Sequence, residues 1–395
     1  MKRFAEILII FCFTVFIAVC MVFTIGNRDE KYSYYENRDL ASMPSAVVKE
    51  IMDGDYFDNL ESFLIDHSAL RKLMVKTRTE LDLDLFKRPV VNDIVVKGDI
   101  LMSYCDYDEK NPKDVQWQLN QIAPNLKAVS DAAASYGGYF CYVAVPPQFW
   151  CHADDYPWYM DNWSDYVDAT IPAISKRLDS DGVSFLDIGP LFKADGMPSG
   201  YSSKIDNHYG IQGAFRTYKA IMEKINEDTG SSLHVLGDGE VDITKVKNPY
   251  LGAYERKILN LRNIDESLYK LTLKRPVDFS LTVNGKEEAP RVYYGPDESD
   301  TTTELTYQYY MGGDLPEAVI DTHRPELPSV LIYGDSFTDA LECILYNSFD
   351  KMYTIDMRYY EKGTVSEFIR KYKPDYVICL RDYSSLLDSS ANGGK

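Results

Sequence analysis

Residues Ser329-Val330-Leu331-Ile332-Tyr333 form an apolar, β-branched run that stops at Gly334-Asp335-Ser336, and a helical pattern begins at once. Phe337, Leu341, Ile344 and Leu345 recur at helical spacing. A buried strand that passes through so short a turn into a helix is the building step of an α/β sheet. It puts Ser336 beyond the carboxyl end of a strand, beside a helix N-terminus. Backbone N–H groups there lack intrahelical partners, and the helix dipole is positive. Those donors suit an oxyanion formed when a serine hydroxyl attacks a carbonyl. The same position also suits a serine that only caps the helix, and the motif by itself supplies no base.

The alternation extends on both sides of this turn. The spacing predicts a helix over 114–136, closed by Gly137-Gly138, and a buried strand over Tyr139–Val145, stopped by Pro146-Pro147. A helix over 165–178, a strand over 183–186 and a helix over 213–226 follow. After Ser336 the pattern predicts a strand over 352–355, a helix over 364–372 and a strand over 376–380. Strands alternating with helices imply parallel crossovers, with ligands beyond the carboxyl ends of the strands. Residues from about 232 to 328 break the alternation. Phe279 to Val283 followed by Asn284-Gly285 reads as a β-hairpin with a type I′ turn, so this region is expected to be a β-rich insertion.

The N-terminus points to a membrane. Lys2 and Arg3 precede an apolar run over about 7–25, interrupted only by Thr14 and Thr24. That length suits a helical span, and the basic flank keeps the N-terminus cytoplasmic. No small-x-small cleavage site follows, so an uncleaved anchor is favoured over a signal peptide. The expected organisation is an anchor over 1–26, a stalk with amphipathic helices over 27–90, and an α/β domain over 91–395 that carries the insertion. The bulk of the chain would then be extracytoplasmic, on a single-pass protein of the cell membrane.

Composition narrows the function classes. The 395 residues are 45% hydrophobic, enough for a full core. The net charge of −19 is spread along the chain, which argues against nucleic acid or anionic lipid as the main partner. Seven cysteines are present, two of them in the apolar N-terminal run. An odd remainder without framework spacing predicts no disulfide scaffold, and a Cys105–Cys151 pair stays open. No CxxC and no clustered His/Cys set occurs, so neither a metal nor a cofactor is expected.

A nucleophilic serine needs a base within hydrogen-bond reach, and the base needs an orienting partner. Only five histidines exist: His67, His152, His208, His234 and His323. His208 has the best setting, in Asp206-Asn207-His208-Tyr209 just before a helical pattern. In an extended stretch, residues two apart share a side, so Asp206 and His208 can face one pocket. A polar loop with a cap-forming Asp/Asn pair explains the same spacing. His323, near Ser336 in sequence, is the second candidate base; His152 and His234 have no evident carboxylate partner.

Several motifs in order resemble the DHHW family, related to SGNH-like proteins of alginate O-acetylation. They are Glu36-Asn37-Arg38-Asp39-Leu40 with Pro44, Gly54-Asp55-Tyr56-Phe57 with Asp66-His67 and Arg71, and Val143-Ala144-Val145-Pro146. Asp206-Asn207-His208-Tyr209 stands where the family has Asp-His-His-Trp or Asp-x-His-Trp. Tyr310-Met311-Gly312-Gly313-Asp314, Gly334-Asp335-Ser336-Phe337 and Ile355-Asp356-Met357-Arg358-Tyr359-Tyr360 follow. The resemblance implies an SGNH-like three-layer α/β domain with a parallel central sheet. It also implies Ser336 as nucleophile, His208 as base and Asp206 as orienter. Gly313, Asn207, Tyr209, Asp335 and Arg358 are the candidates for an oxyanion or substrate pocket, with the Gly313 N–H as one oxyanion donor. Asn207 and Tyr209 replace the second His and the Trp, and Asp314 puts a carboxylate where an amide would suit an oxyanion better.

The expected function is therefore O-acetyl transfer to a cell-surface or secreted polysaccharide, alongside a multispanning membrane acyltransferase. The same site with water as acceptor would be a carbohydrate esterase. A glycan-binding scaffold without chemistry is the non-enzymatic alternative.

Overall fold

The computed structural model describes residues 2–26, 29–36, 38–297 and 299–389. They divide into two compact units: residues 1–94 with 255–263, and residues 95–254 with 264–395.

The first unit opens with the helix Lys2–Gly26, of which Arg3–Thr24 is long and apolar enough to cross a membrane. Helices Val48–Asp53, Asp55–His67 and Arg71–Glu80 follow, the last running into a π-helical turn at Leu81–Leu85. Gly54 separates the first two at φ 100°, a left-handed conformation that favours glycine. The residues that carried the first part of the family resemblance meet here. Arg38 donates to both oxygens of Asp66, at 2.9 and 2.5 Å, and Arg71 to both oxygens of Glu36, at 2.8 and 2.7 Å. The fork from Arg38 holds the Asp66 carboxyl down to about 2. His67 is buried, lies against Phe63 with ring centroids 4.4 Å apart and planes tilted by 32°, and bonds the Ala41 carbonyl through Nε2. Asn37 lies outside the described residues.

The second unit is built on an eight-stranded sheet. Its order is Lys286–Glu288, Ser280–Val283, Glu317–Asp321, Lys351–Ile355, Ser329–Gly334, Tyr376–Asp382, Tyr139–Val145, Ser184–Asp187. The last five of these are mutually parallel. Val330 to Tyr333, Val377 to Leu380 and Tyr142 to Val145 are wholly buried, as strands covered on both faces must be. Helix Val115–Ala134 packs with Ser164–Ser180 and Val365–Tyr372, while Ile211–Thr229 packs with Thr338–Leu345. The result is the expected three-layer α/β architecture. The sheet is not parallel throughout, because Ser280–Val283, Lys286–Glu288 and Glu317–Asp321 join its edge antiparallel. The hairpin turns at Asn284 and Gly285, both left-handed at φ 50° and 78°, the pair of signs a type I′ turn requires. A further pair, Val241–Lys245 with Tyr269–Leu273, forms its own two-stranded sheet. All seven cysteines are free; Cys105 is buried, with its thiol directed at the Tyr156 hydroxyl.

Candidate active site

Ser336 follows the central strand Ser329–Gly334 directly. Gly334 is required by a close approach: a Cβ there would sit 1.9 Å from the carbonyl oxygen of Leu380 on the neighbouring strand. Asp335 is buried and shapes the turn. Its Oδ1 accepts the Phe337 N–H at 3.0 Å, and its Oδ2 accepts the Ser385 hydroxyl at 2.8 Å and the Asp382 N–H at 3.3 Å. The Asp335 carbonyl accepts the Thr338 N–H, which starts the helix Thr338–Leu345. Asp335 therefore ties the turn to the end of strand Tyr376–Asp382. Among the described residues no acceptor takes the Ser336 N–H.

The segment around His208 is pinned from several directions. Leu101 N–H donates to the Lys204 carbonyl, Tyr254 N–H to Ile205, and Gln148 N–H to Asn207. Glu266 accepts from the Ser203 hydroxyl at 2.8 Å and the Lys204 N–H at 2.9 Å. Asp206 Oδ1 accepts the His208 backbone N–H at 3.2 Å. The segment is thus an Asx turn and not the extended stretch that the spacing argument assumed. The turn brings the Asp206 carboxylate against the His208 ring all the same.

The structure brings Asp206, His208 and Ser336 together. His208 Nδ1 lies 2.6 Å from Asp206 Oδ1, and His208 Nε2 lies 2.7 Å from Ser336 Oγ. A carboxylate can only accept, so Nδ1 carries the proton and Nε2 is left to accept from the serine hydroxyl. Asp206 Oδ2 accepts the Ala253 N–H at 2.7 Å, and Tyr250 is buried close to this carboxylate. Burial pushes the Asp206 carboxyl up. The His208 charge and hydrogen bond and the two N–H donors outweigh it and hold the group below its usual range. The His208 ring lies flat on Tyr307, with centroids 3.8 Å apart and planes at 5°. Phe337 covers another side at 4.9 Å. Ser336 is partly open to solvent, and His208 is 8% exposed.

The remaining candidates take different places. Asn207 Nδ2 is 3.5 Å from His208 Nε2, so its amide borders the serine. Tyr209 is buried and donates to the Phe337 carbonyl at 2.6 Å, which couples the two segments. The Gly313 N–H is already given to the Tyr310 carbonyl at 3.0 Å, so the oxyanion role expected of it lacks a free donor. Arg358 forks between Asp356, at 2.6 Å, and Asp314, at 2.7 Å. Burial pushes the Asp314 carboxyl up, and the Arg358 charge beside it works the other way. Among the other histidines, His323 is exposed beside Asp321, His152 pairs with Asp155 at 3.0 Å and His234 with Glu240 at 2.9 Å. These last two carboxylates were missed in the sequence.

Sequence reasoning also missed Tyr307, Tyr250 and Glu266, which back the His208–Asp206 pair. Nothing in a tyrosine-rich chain marks two of its tyrosines. A cavity of about 300 Å³ opens behind them, lined by Tyr250, Tyr307, Tyr310, Gln212, Lys245 and Glu266 among others. Burial pushes the Glu266 carboxyl up to about 7. No group of three or more metal-ligating side chains among the described residues has the geometry to hold an ion.

No protein-family model matches the sequence, and no curated protein matches it either. Solved structures do. PatB1 of Bacillus cereus is similar at a TM-score of 0.63 and 20% identity, over 76% of this chain and 99% of that one. PatB1 with a sulfonyl adduct gives 0.62, with the same identity and coverage. A DHHW family protein from Eubacterium siraeum gives 0.56 at 17% identity, over 77% of this chain and 95% of that one. This likeness defines the fold: the chain has the architecture of PatB1 and of a DHHW family protein.

Proposed function

We propose that this protein is a membrane-anchored, extracytoplasmic O-acyltransferase that moves an acetyl group to a hydroxyl of a polysaccharide through Ser336, His208 and Asp206. The single observation behind the reading is the unbroken chain of short hydrogen bonds from Ser336 Oγ through His208 to Asp206. Ser336 Oγ attacks the carbonyl of an acyl ester, and its proton passes to His208 Nε2. The electron pair displaced onto the carbonyl oxygen would be met by the Ser336 N–H and the Asn207 amide, which border the serine. Collapse expels the donor alcohol, which takes the proton from His208. A glycan hydroxyl then gives its proton to His208 and attacks the acyl-serine, and Ser336 regains its proton. Asp206 holds the ring tautomer and stabilises the imidazolium in both halves.

The fold shared with PatB1 supports the reading, as does the sulfonyl adduct that PatB1 carries. The tyrosine-lined cavity behind Tyr307, the ring that stacks on His208, offers ring faces for sugars. The apolar segment Arg3–Thr24, with Lys2 and Arg3 at its N-terminal end, supports anchoring with the bulk outside. A multispanning membrane acyltransferase, the partner that the family resemblance implies, would deliver the acyl group.

Phenylmethylsulfonyl fluoride tests the nucleophile. Fluoride leaves, an S–O bond forms at Ser336 Oγ, and intact-mass measurement should show one adduct that Ser336→Ala lacks. Equal labelling of both chains would remove Ser336 from the chemistry. Incubation with p-nitrophenyl acetate, with and without polysaccharide, then separates the acceptors. Acetylated glycan supports transfer; acetate alone makes the protein an esterase.

A further inference from the structure

Helices Asp55–His67 and Arg71–Glu80 leave most of their apolar side chains uncovered among the described residues. Helix Asp55–His67 buries Phe63 and His67 inward. On its outer side Phe57, Leu64 and Ile65 are 57%, 47% and 57% exposed. Across the corner Leu70, Leu73 and Met74 are between 56% and 67% exposed. Phe57, Leu60, Leu64, Ile65, Met74 and Val75 line most of one open groove of about 640 Å³, with Glu61, Ser68 and Arg71 also in its wall. An exposed surface this rich in apolar side chains marks an interaction site.

Its position says what covers it. Thr24, at the end of the span, is buried, and its hydroxyl accepts the Ala69 N–H at 3.1 Å. Beyond the span, Glu30 pairs with Lys72 at 2.5 Å. The corner between the two helices is therefore tied to both sides of the point where the span ends. A span that crosses the hydrocarbon must end at the headgroup level, so the corner and its apolar groove sit at that level too. We infer that helices Asp55–His67 and Arg71–Glu80 lie in the outer membrane interface with the Phe57–Met74 groove filled by acyl chains. They act as an interfacial platform beyond the single span. The inference rests on the anchored reading above. The basic residues of helix Arg71–Glu80 are each paired with a carboxylate, Arg71 with Glu36, Lys72 with Glu30, Lys76 with Glu80 and Arg78 with Asp82, so the contact is apolar and persists on zwitterionic lipid and at high salt.

The test uses the full chain in phosphatidylcholine vesicles that contain a diazirine-bearing acyl chain, with peptide mapping after irradiation. Label is expected in the peptides covering 3–24 and also in those covering 55–80, and not in 115–134. Replacing Leu64 and Met74 with glutamate should lower the label in 55–80 about tenfold, from the lost transfer of two apolar side chains, while label in 3–24 is unchanged. Both positions are exposed, and circular dichroism checks that the helices persist. Label confined to 3–24 overturns the platform and leaves the anchor standing, the result also expected if a protein partner fills the groove. Label in neither segment overturns both.

Discussion

Asp206 is fully buried and still held as a carboxylate, because the His208 ring and two backbone N–H groups surround it. Those contacts define what its removal does. Asp206→Asn keeps an acceptor for the Ala253 N–H and fills the same space, but an amide can favour the wrong imidazole tautomer by donating to Nδ1. The expected loss in kcat is about 10⁴-fold with little change in melting temperature, by analogy with the loss of the triad aspartate in serine proteases. Measured with p-nitrophenyl acetate, a loss under tenfold would mean that Asp206 does not orient the base. Much of this was legible in the residue types. Asp-x-His spacing narrowed five histidines to His208 and His323, the helical pattern after His208 favoured it, and Gly-Asp-Ser selected the serine. The meeting of positions 128 residues apart was not legible from spacing, since it depends on non-local strand pairing. Nor was the stacking of Tyr307, one of 31 tyrosines with nothing local to mark it.

The helix Thr338–Leu345 shows where pattern reading stops at the scale of an element. Leu341, Ile344 and Leu345 mark its apolar spacing, which by itself places neither Asp339 nor Glu342. Both are buried, at 5% and 3% exposure, against the sheet. Glu342 accepts from the Thr354 hydroxyl at 2.7 Å on strand Lys351–Ile355. Burial, with hydrogen bonds from Thr338 and Thr354 working the other way, pushes the Glu342 carboxyl up to about 7; burial and the Glu342 charge push Asp339 up as well. The folded chain thus keeps protons that the unfolded chain releases above about 4.5. Through Glu342, stability should fall as pH rises from about 4.5 to about 7, by at most about 1.4 kcal/mol per pH unit, and this contribution levels off above that. Glu342→Gln keeps the bond to Thr354 without the charge. It should melt higher than the parent at pH 8, match it at pH 4.5 and show a flatter profile between. Parallel melting curves for the two chains would show that this carboxyl carries no excess proton. On the preceding strand, Gly334→Ala would drive a methyl into the Leu380 carbonyl, and chemical denaturation should report about 1–3 kcal/mol of lost stability.

For the molecule as a whole, alternating strands and helices predicted the parallel part of the sheet, but not its order or its antiparallel edge. Short edge strands such as Lys286–Glu288 are largely polar, and nothing local says which neighbour they join. The apolar N-terminal run was legible by length alone, and the proposed chemistry depends on where that run leaves the domain. A glycan outside the cell can be acylated only if the basic residues Lys2 and Arg3 stay inside and the sheet lies outside. Protease added to intact cells should then destroy the α/β domain, and alkaline carbonate should not release the intact chain from membranes. Phe13→Arg, near the middle of the span, costs about 2.5–3.5 kcal/mol of insertion by the translocon scale and should move a measurable share of the chain to the soluble fraction. A carbonate-resistant domain that external protease cannot reach would place Ser336 in the cytoplasm. The serine chemistry would survive that result, but a surface polysaccharide as its acceptor would not.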